Sequence, residues 1–402
     1  MRTLFVLAWK NLFRNVRRTS ASLITVAFGS AGLLIYQGFN SGLMNQYREN
    51  TVRGYYGYGQ VFPKGYYGSV YEKPWEHWIV DPAGMERKIK SVPQVKEVFP
   101  RIGFYAFVVR GGLTLGGKGE GIVPERENAF FTQKNIIDGR DLAGPDEIIL
   151  GKGLADALGV KADDTVTVLT QTVHGQLNGA DMKVAGVFHM GIKSIDDQFF
   201  RVALESAQQL LDTDKIEMFS LSTTGVDDWT KIRDGIVKAA PNLEPISFDV
   251  LDKVYYQNSV DFLNAQFNVI RTIILFIVAL GIFNTIAVGL LERAGEVGAL
   301  RANGETRSRL FRVLLLENAL LGFLGGILGI VIAVILDYTI MIKGIPMPPA
   351  PGITRSYLIF LQIQPEHYIQ ALMLPMLAAV VASILPVRKL LSRSIPDLLR
   401  SV

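Results

Sequence analysis

The side chains with the most informative types and spacing lie between residues 292 and 312, where charged residues alternate with glycine and alanine. The first part of this segment predicts a short helix that presents Val297 and Leu300 three residues apart and ends at Asn303-Gly304. The small residues around them allow another surface to approach closely. A helix of this kind is suited to docking into a partner's groove. A basic loop at a membrane surface accounts for the composition equally well.

Motifs of the common hydrolases are missing from the sequence. It contains no H-E-x-x-H and no G-x-S-x-G, and the absence of cysteine excludes disulfides, thiolate metal sites and cysteine nucleophiles. The four histidines are isolated in the sequence, and we interpret each as a surface or packed imidazole: His77, His174, His189 and His367. We therefore expect no catalytic residue, no bound metal and no bound cofactor in this chain.

One glycine-rich stretch is close to a phosphate-binding loop without matching it. Residues 112–119 read Gly-Leu-Thr-Leu-Gly-Gly-Lys-Gly, so Gly119 stands where that loop has the hydroxyl residue that binds Mg²⁺. The strand and helix that should bracket the loop are not predicted here. We interpret the stretch as a glycine-rich hairpin.

Composition indicates a membrane protein. The chain has 402 residues, of which 49% are hydrophobic, and a formal net charge of +4. A basic balance can indicate nucleic-acid binding, but these basic residues cluster beside apolar runs, where membrane topology explains them. We expect no nucleic-acid partner.

Four apolar stretches are long enough to cross a bilayer, because about 20 residues rising about 1.5 Å each cover about 30 Å of hydrocarbon. We predict transmembrane helices over residues 20–42, 269–291, 313–336 and 368–387. The third contains one acidic residue, Glu317, near its predicted cytoplasmic end, where it can reach the interface or pair with Arg312 or Arg309. We interpret Glu317 as structural or coupling, and a single intramembrane charge disfavours an ion-driven carrier.

Basic residues predict the orientation of these helices. They cluster before the first helix, between the second and third, and after the fourth: Arg2, Lys10, Arg14, Arg17, Arg18; Arg293, Arg301, Arg307, Arg309, Arg312; Arg388, Lys389, Arg393, Arg400. Segments rich in Lys and Arg face the cytoplasm. We therefore predict cytoplasmic segments at 1–19, 292–312 and 388–402, with the large segment 43–268 and the proline-rich loop 337–367 outside.

The segment before the first span predicts an amphipathic helix on the inner leaflet. In residues 4–18, Leu4, Ala8, Leu12 and Val16 share one helical face, and basic residues lie elsewhere. The alternative is a basic flank without defined structure.

The outer segment 43–268 alternates helix and strand patterns, which predicts a large α+β extracytoplasmic domain. Helices are predicted over 82–91, 152–158, 206–211 and 229–239, and strands over 104–109, 147–150, 165–172, 182–188 and 218–223. A helical pattern continues from Asp252 through Leu291, about 60 Å, so the second span is expected to extend outward as a stalk. The first span is expected to extend likewise towards Arg48.

The start of this domain, residues 55–78, is rich in aromatic residues and glycine. The aromatic residues are Tyr55, Tyr56, Tyr58, Phe62, Tyr66, Tyr67, Tyr71, Trp75 and Trp78. Aromatic side chains with a polar group favour the membrane interface, so this segment is a candidate for lining a hydrophobic substrate's path or resting on the outer leaflet. Ordinary packing under a long loop is the alternative that we favour.

Several strings along the chain carry a family resemblance. After the second span these are Glu292-Arg293, Glu296-Val297-Gly298, Leu300-Arg301-Ala302 and Gly304, followed by Leu-Leu-Leu-Glu317 and by Gly322, Gly326 and Gly329. Together with the opening at 8–19 and parts of 148–160, 184–188 and 207–211, they resemble the FtsX-like permeases of MacB-type and lipoprotein-releasing (LolC/LolE-type) ABC transporters. The chain departs from that pattern at Asp163, where the family commonly has Gly, and at Asn303, where Leu is usual.

This resemblance implies a permease subunit, not an enzyme, that works with separate cytoplasmic ABC ATPase subunits in a dimer with a second permease copy or a paralogue. ATP and Mg²⁺ are then bound by the partner ATPase, whose motion moves the outer domain. The implied ATPase-coupling residues are Glu292, Arg293, Glu296, Gly298, Leu300, Arg301 and Gly304. Close helix packing, within a bundle or at a dimer interface, is implied for Gly322, Gly326 and Gly329.

Three functions fit the resemblance. Lipoprotein release from the bacterial inner membrane is favoured, because the outer domain has a suitable size and its aromatic start can meet acyl chains. Membrane lipid and a periplasmic lipoprotein carrier or adaptor are then further partners. The alternatives are a MacB-like efflux permease, which a fused ATPase domain would support, and FtsX-like transmembrane signalling to a periplasmic partner. In each case both termini are expected in the cytoplasm and the large domain in the periplasm.

Overall fold

A computed structural model describes residues 2–14, 16–66, 73–225, 228–253, 258–348, 354 and 356–399. The chain divides into two compact units. Met1–Asn45, Asp261–Pro346 and Leu358–Val402 form one, which we call the helical unit, and Gln46–Val260 with Met347–Tyr357 form the other, which we call the sheet unit.

The α-helices follow one another along both units. They are α1 (Arg2–Arg14), α2 (Val16–Thr51), α3 (Pro82–Lys90), α4 (Pro124–Glu127), α5 (Lys152–Leu158), α6 (Lys193–Asp196), α7 (Leu204–Leu211), α8 (Trp229–Ala239), α9 (Phe248–Leu251), α10 (Asn258–Glu292), α11 (Ala294–Ala302), α12 (Arg307–Thr339), α13 (Pro365–Ser392) and α14 (Ile395–Leu399). A π-helical turn, Val52–Tyr56, directly follows α2.

The strands belong mainly to the sheet unit. They are β1 (Gly59–Pro63), β2 (Val95–Arg110), β3 (Leu113–Ile122), β4 (Asn135–Gly139), β5 (Glu147–Gly151), β6 (Thr165–Gln171), β7 (Leu177–His189), β8 (Phe199–Ala203), β9 (Met218–Thr223), β10 (Leu243–Ser247), β11 (Ile345–Met347) and β12 (Tyr357–Ile359). The last two pair with each other in a separate ladder.

Four helices in the described part of the chain are long and apolar enough to cross a membrane: α2, α10, α12 and α13. Each contains one of the predicted spans and continues beyond it. Apolar side chains from all four pack into a shared core, which includes Val26, Ile282, Leu314, Leu321 and Ala379.

The predicted amphipathic helix is only partly correct. Its helical start is confirmed as α1, in which Ala8 and Leu12 are buried, while Leu4's side chain lies outside the described residues. Val16, predicted on the same face, instead begins α2 and is 68% exposed. The two helices are linked by a hydrogen bond, since Thr19 Oγ1 donates to Leu12 O at 2.5 Å. The prediction failed at Val16 because it extended one helical period past the end of α1 and into the next helix.

Strand β2 organises the sheet unit because its two halves serve different parts of the sheet. Its first half pairs with β9, which continues the sheet through β1 to β10, and its second half pairs with β3 and β6. Strands β2, β3, β8, β5, β7 and β6 form a closed ring, because β6 pairs with both β7 and β2. The ring encloses aliphatic and aromatic side chains such as Val108, Leu150 and Phe200, against which α5 and α7 pack.

Local patterns in the sheet unit predicted its elements well. Every helix and strand predicted between residues 82 and 239 is present, several of them longer than expected. Gly159 ends α5 in the left-handed conformation, with φ of 64°, as its position after the helix predicted. The glycine-rich stretch that begins at Gly112 enters β3, the second strand of an antiparallel hairpin with β2, which confirms the hairpin interpretation.

The aromatic start of the sheet unit packs inside it. Phe62, Tyr66 and Trp78 are buried in the core, and Tyr66 Oη donates to Glu217 Oε1 at 2.6 Å. For these residues the packing alternative is confirmed. Two other members of the segment, Tyr67 and Tyr71, lie outside the described residues.

The predicted outward extensions have different outcomes. Helix α2 continues through Thr51, past Arg48, as expected for the first span. Helix α10 begins at Asn258, and the expected stalk between Asp252 and this residue includes 254–257, which lie outside the described residues. Most of the proline-rich run at 346–352 also lies outside them.

Candidate functional site

Helix α11, the predicted coupling helix, has a well-defined end. Gly304 has φ of 90°, its N–H donates to Arg301 O at 3.1 Å, and the Glu305 N–H donates to Leu300 O at 3.1 Å. These bonds form the Schellman arrangement, in which a residue in the left-handed conformation follows the helix and glycine is favoured there. The predicted stop at Asn303-Gly304 is confirmed. Gly304 therefore shapes the helix end.

A buried ion pair fixes the start of α11. Arg293 is 9% exposed, and its Nη1 lies 2.5 Å from Glu317 Oε1 on α12. Arg293 is thus the partner that the structure gives Glu317, where Arg312 or Arg309 was expected; Arg309 pairs instead with Glu305 at 3.1 Å. The turn between α10 and α11 brings Arg293 to Glu317, a contact 24 residues apart in sequence that helical spacing does not reveal.

Two further predicted residues hold α11 against the C-terminal part of the helical unit. Arg301 Nη1 donates to Arg393 O at 2.6 Å, just beyond the end of α13, where carbonyl groups lack helical partners. A Cβ placed on Gly298 would lie 2.9 Å from the Leu398 Cβ of α14, so this close approach requires glycine. Val297, between these contacts, is buried.

The opposite face of α11 is open. Leu300 and Glu296 are each 44% exposed, and Glu292 is exposed at the adjoining end of α10. Arg293, Gly298 and Arg301 thus face the chain's own helices, while these three residues face outward. The sequence motif contains both the inward-facing and the outward-facing residues, but it did not show which residue faces which way.

The charge of Glu296 is held by two arginines. Its carboxylate pairs with Arg14 of α1 and lies 3.3 Å from Arg293 Nε. Partial burial acts to raise the pKa of Glu296, but the hydrogen bond and charge of Arg293 and those of Arg14 outweigh it and lower the pKa below its ordinary value. Glu296 is therefore ionised at neutral pH and connects α1 with α11.

The predicted packing glycines lie at two helix contacts. A Cβ on Gly322 would be 2.7 Å from Met376 Cα, and one on Gly326 would be 3.3 Å from Leu372 Cα, both on α13. On Gly329 it would lie 2.5 Å from Ala27 O, on α2. Each of the three glycines therefore lies where two helices of the bundle approach closely.

Sequence reasoning missed two residues at these contacts. Gly325 shares the α2-facing side with Gly329, since a Cβ there would lie 2.6 Å from Val26 Cβ. Ser30 is fully buried, and its Oγ donates to Ala371 O at 2.7 Å, which joins α2 to α13. For Gly325 the available signal was the spacing of small residues three and four apart on α12. For Ser30 there was no signal, because it is an isolated serine in an apolar run.

Sequence reasoning also missed a group of charges buried in the sheet unit. Arg101, Glu120, Glu127 and Arg201 are each at most 2% exposed and bind one another. The available signal was a charge inside an apolar strand, as for Arg201 between Phe200 and Val202. A charge in that position is buried only when it is paired.

Comparison with known protein families covers most of the chain. Residues 268–395 match the FtsX-like permease C-terminal family. Residues 19–239, more than half of the chain, match the MacB-like periplasmic core domain family.

Individual relatives are distant. The lipoprotein-releasing system transmembrane protein LolC of Neisseria meningitidis is 21% identical over 80% of this chain and 77% of its own. LolC of Xylella fastidiosa is 28% identical over 55% of each chain, so this chain spans about half of that relative's length. The ABC transporter permease YtrF of Bacillus subtilis is 23% identical over 56% of this chain and 62% of its own.

The two family matches follow each other along the chain with residues 240–267 between them, and the resemblance first noticed in short strings is confirmed. The chain belongs to the FtsX-like ABC transporter permeases that carry a MacB-like periplasmic core domain.

Proposed function

We propose that this chain converts the motion of a separate cytoplasmic ABC ATPase into movement of the sheet unit, and that the transporter releases lipid-anchored proteins from the bacterial inner membrane. Members of this family are permeases that work with cytoplasmic ATPases. The release of lipoproteins is taken from the names of two relatives, both called lipoprotein-releasing system proteins.

The observation that carries the proposal is the two-faced construction of α11. Its inner face is tied to α12 through Arg293 and to the end of α13 through Arg301. Its outer face presents Leu300 with the carboxylate of Glu296 beside it. A force applied to the outer face therefore acts on two long apolar helices through directional bonds instead of through a mobile loop.

The proposed orientation follows from charge. Helices α2, α10, α12 and α13 cross the membrane, and the basic segments at their ends, among them 293–312 and 388–393, face the cytoplasm. This arrangement exposes α11 to a cytoplasmic partner and leaves the sheet unit in the periplasm. The chain pairs with a second copy or a related permease, and ATP and Mg²⁺ bind to the ATPase partners.

Helix α1 supports the same arrangement at the inner membrane surface. Phe5 and Trp9 stack with their ring centroids 6.5 Å apart and are 47% and 41% exposed. Aromatic residues of this kind favour the membrane interface, and Lys10 on the same helix is exposed to meet lipid phosphates. Because Arg14 at its end binds Glu296, this interfacial helix also steadies α11.

The proposal is tested by purifying the tagged full-length chain from its native membrane and identifying the bound material by mass spectrometry. We expect an ABC ATPase together with lipid-anchored protein. The purified complex, placed in proteoliposomes with a fluorescently labelled triacylated lipoprotein, is expected to release that probe only with hydrolysable ATP.

Two results would contradict the proposal at different levels. An ATPase that copurifies without lipoprotein, combined with no ATP-driven release, would reject the substrate and favour efflux or signalling. Chemical cross-linking in the membrane before purification prevents loss of a weakly bound subunit. If no ATPase copurifies with the chain even after this cross-linking, the permease role itself is rejected.

A further inference from the structure

The end of helix α2 lies within the sheet unit, and its last carbonyl groups have an unusual set of partners. Helix ends leave carbonyl oxygens without intrahelical donors. In the π-helical turn that follows α2, each of four successive carbonyls is matched: Val52 O with Gly57 N at 2.9 Å, Arg53 O with Gln133 N at 3.3 Å, Gly54 O with Arg201 Nη2 at 3.4 Å, and Tyr55 O with Arg101 Nη1 at 2.6 Å. Two of the four donors are guanidinium groups, which also complement the negative end of the helix dipole.

These two arginines belong to the buried charge group of the sheet unit. Arg101 binds Glu127 through two parallel bonds, Nε to Oε1 and Nη2 to Oε2, both 2.7 Å. Its Nη1 also lies 2.9 Å from Glu120 Oε1, while Glu120 Oε2 accepts from Arg201 Nε at 2.9 Å. The group contains two positive and two negative charges and is therefore neutral overall.

The strands that carry these residues are parts of the central sheet. Arg101 lies on β2 where its pairing changes from β9 to β3, Glu120 lies on β3, and Arg201 lies on β8. The ladder places Glu120 directly opposite Arg201. The charge group thus extends from the helix end across three neighbouring strands.

The Glu120 carboxylate is held in its ionised form. Burial acts to raise the pKa of Glu120, but the charges of Arg101 and Arg201 outweigh it and keep the pKa below the ordinary value. Arg101 lies in addition over the Phe131 ring, with its guanidinium carbon 4.2 Å from the ring centroid.

A buried group of charges adds little to folding stability compared with apolar residues. Removing charges from water is costly, and well-packed apolar residues of similar volume often stabilise a core as well or better. What charged hydrogen bonds provide is direction: each guanidinium fixes a carbonyl and a carboxylate in one plane. Here that geometry ties the backbone that follows a long helix to strands β2 and β8.

We infer that Arg101 and Arg201, positioned by Glu120 and Glu127, form a joint that holds the end of α2 on the sheet, so that displacement of this helix moves the ring of strands as one body. The inference rests on the proposed function, since it assigns the route by which motion enters the sheet unit. Arg101 and Arg201 are positioning residues in this role, because they act through the α2 backbone.

The test uses the full-length chain with paired replacements that leave no buried charge alone. Arg101→Met with Glu127→Leu removes the two-bond pair and the donor to Tyr55 O, while Glu120 and Arg201 keep each other. The matched control is Arg140→Met with Glu147→Leu, which removes a two-bond pair whose arginine is 58% exposed. A gentler variant, Arg101→Lys, keeps the charge but not the planar geometry.

The first readout is amide hydrogen exchange, which does not depend on transport. In the Arg101/Glu127 variant, peptides that cover residues 52–58 are expected to exchange about tenfold faster or more, while peptides from β5 keep their protection. The control pair is expected to leave 52–58 unchanged. Unchanged exchange at 52–58 in the variant would overturn the inference, and so would equal loss of protection in β5, because the group would then hold the whole fold.

The second readout is probe release per ATP hydrolysed, with the purified complex in proteoliposomes and the labelled triacylated lipoprotein. We expect the variant to hydrolyse ATP at close to the unaltered rate but to release about tenfold less probe, with Arg101→Lys between the two. Equal release per ATP in variant and unaltered chain would overturn the joint. If the unaltered complex shows no ATP-driven release, the proposed function fails, while the exchange readout still decides whether the group holds the helix end.

Discussion

The two units contain buried arginine–carboxylate groups that differ in their access to other molecules. In the helical unit, Arg293 binds Glu317 and is joined through Glu296 to the surface, where Glu296 is 44% exposed. In the sheet unit, Arg101 and its partners are enclosed and bind one another and the chain's own backbone. A partner can therefore reach the first group directly, whereas the second can act only inside the chain, as the proposed joint requires.

The units also differ in how their elements approach one another. Helices α2, α12 and α13 are brought close by positions without side chains, such as Gly322 and Gly329. The sheet unit fills its interior with aliphatic and aromatic side chains, including Phe200 and Val108. In a membrane, where lipid is as apolar as the helices, close backbone contact takes over the role that apolar burial has in water.

The largest effect is expected for Gly329→Leu, which tests whether the helical unit depends on close helix contact at its glycines. Its side chain would meet Ala27 O and Ser30 Cβ, so α12 and α2 must separate. We expect a loss of about 3 kcal/mol or more of stability, seen as a lower yield of folded chain and a lower midpoint of thermal unfolding in detergent.

Gly32→Leu on α2 provides the matched control, because a Cβ there meets nothing within 4 Å. This variant should behave like the unaltered chain. Equal damage from both replacements would contradict the close-contact explanation, because leucine favours a helix more than glycine does and the control replacement adds no clash.

A smaller loss is expected for Glu317→Ala, which tests whether the cytoplasmic ion pair matters structurally. The change removes the carboxylate 2.5 Å from Arg293, and a broken buried pair typically costs about 3 to 5 kcal/mol; because Arg293 keeps Glu296 at 3.3 Å, we expect a smaller loss of about 2 kcal/mol. Thermal unfolding in detergent measures the loss. Glu305→Ala, which breaks the more exposed pair with Arg309, should change stability by about 1 kcal/mol or less.

Replacing both partners sharpens this result. Arg293→Met with Glu317→Leu should recover much of the lost stability, because neither charge is then buried alone. If the double variant is as unstable as Glu317→Ala, the ion pair contributes more to stability than the mutual neutralisation of two buried charges.

The smallest effect concerns pH and the contact between α1 and α11. Because the pKa of Glu296 in the folded chain lies below the ordinary carboxyl value, its contribution is complete above that ordinary value and is lost as pH falls through the lower folded-state pKa. Amide exchange in α1 should therefore rise at acidic pH below about 4.5. Glu296→Gln should remove this pH dependence, and an unchanged profile would exclude Glu296 as its source.

Features set by neighbouring residues were predictable from sequence. The apolar runs gave four long helices, and Asn303-Gly304 gave the end of α11, because hydropathy and helix ends are local properties. The glycine spacing on α12 predicted close contact. It did not predict that Gly322 contacts α13 whereas Gly329 contacts α2, because that depends on the tertiary arrangement.

Contacts between distant residues were not predictable in the same way. Glu317 was expected to reach the interface or to pair with an arginine one or two turns away, yet it binds Arg293, 24 residues earlier in the sequence. Arg101 and Arg201 are 100 positions apart in the sequence and meet only because β2, β3 and β8 are neighbours in the sheet. A charge inside an apolar strand indicates that a partner exists but not which residue it is.

The most direct test of the central claim uses the absence of native cysteine. Leu300→Cys places one thiol on the outer face of α11, and Leu177→Cys places one on a sheet-unit residue that is 79% exposed. In membranes that contain the copurifying ATPase, a thiol-reactive photo-cross-linker at position 300 should join the chain to that ATPase, while the same reagent at position 177 should not. A cross-link to the ATPase from position 177, or none from position 300 while the ATPase remains bound, would contradict the coupling role of α11.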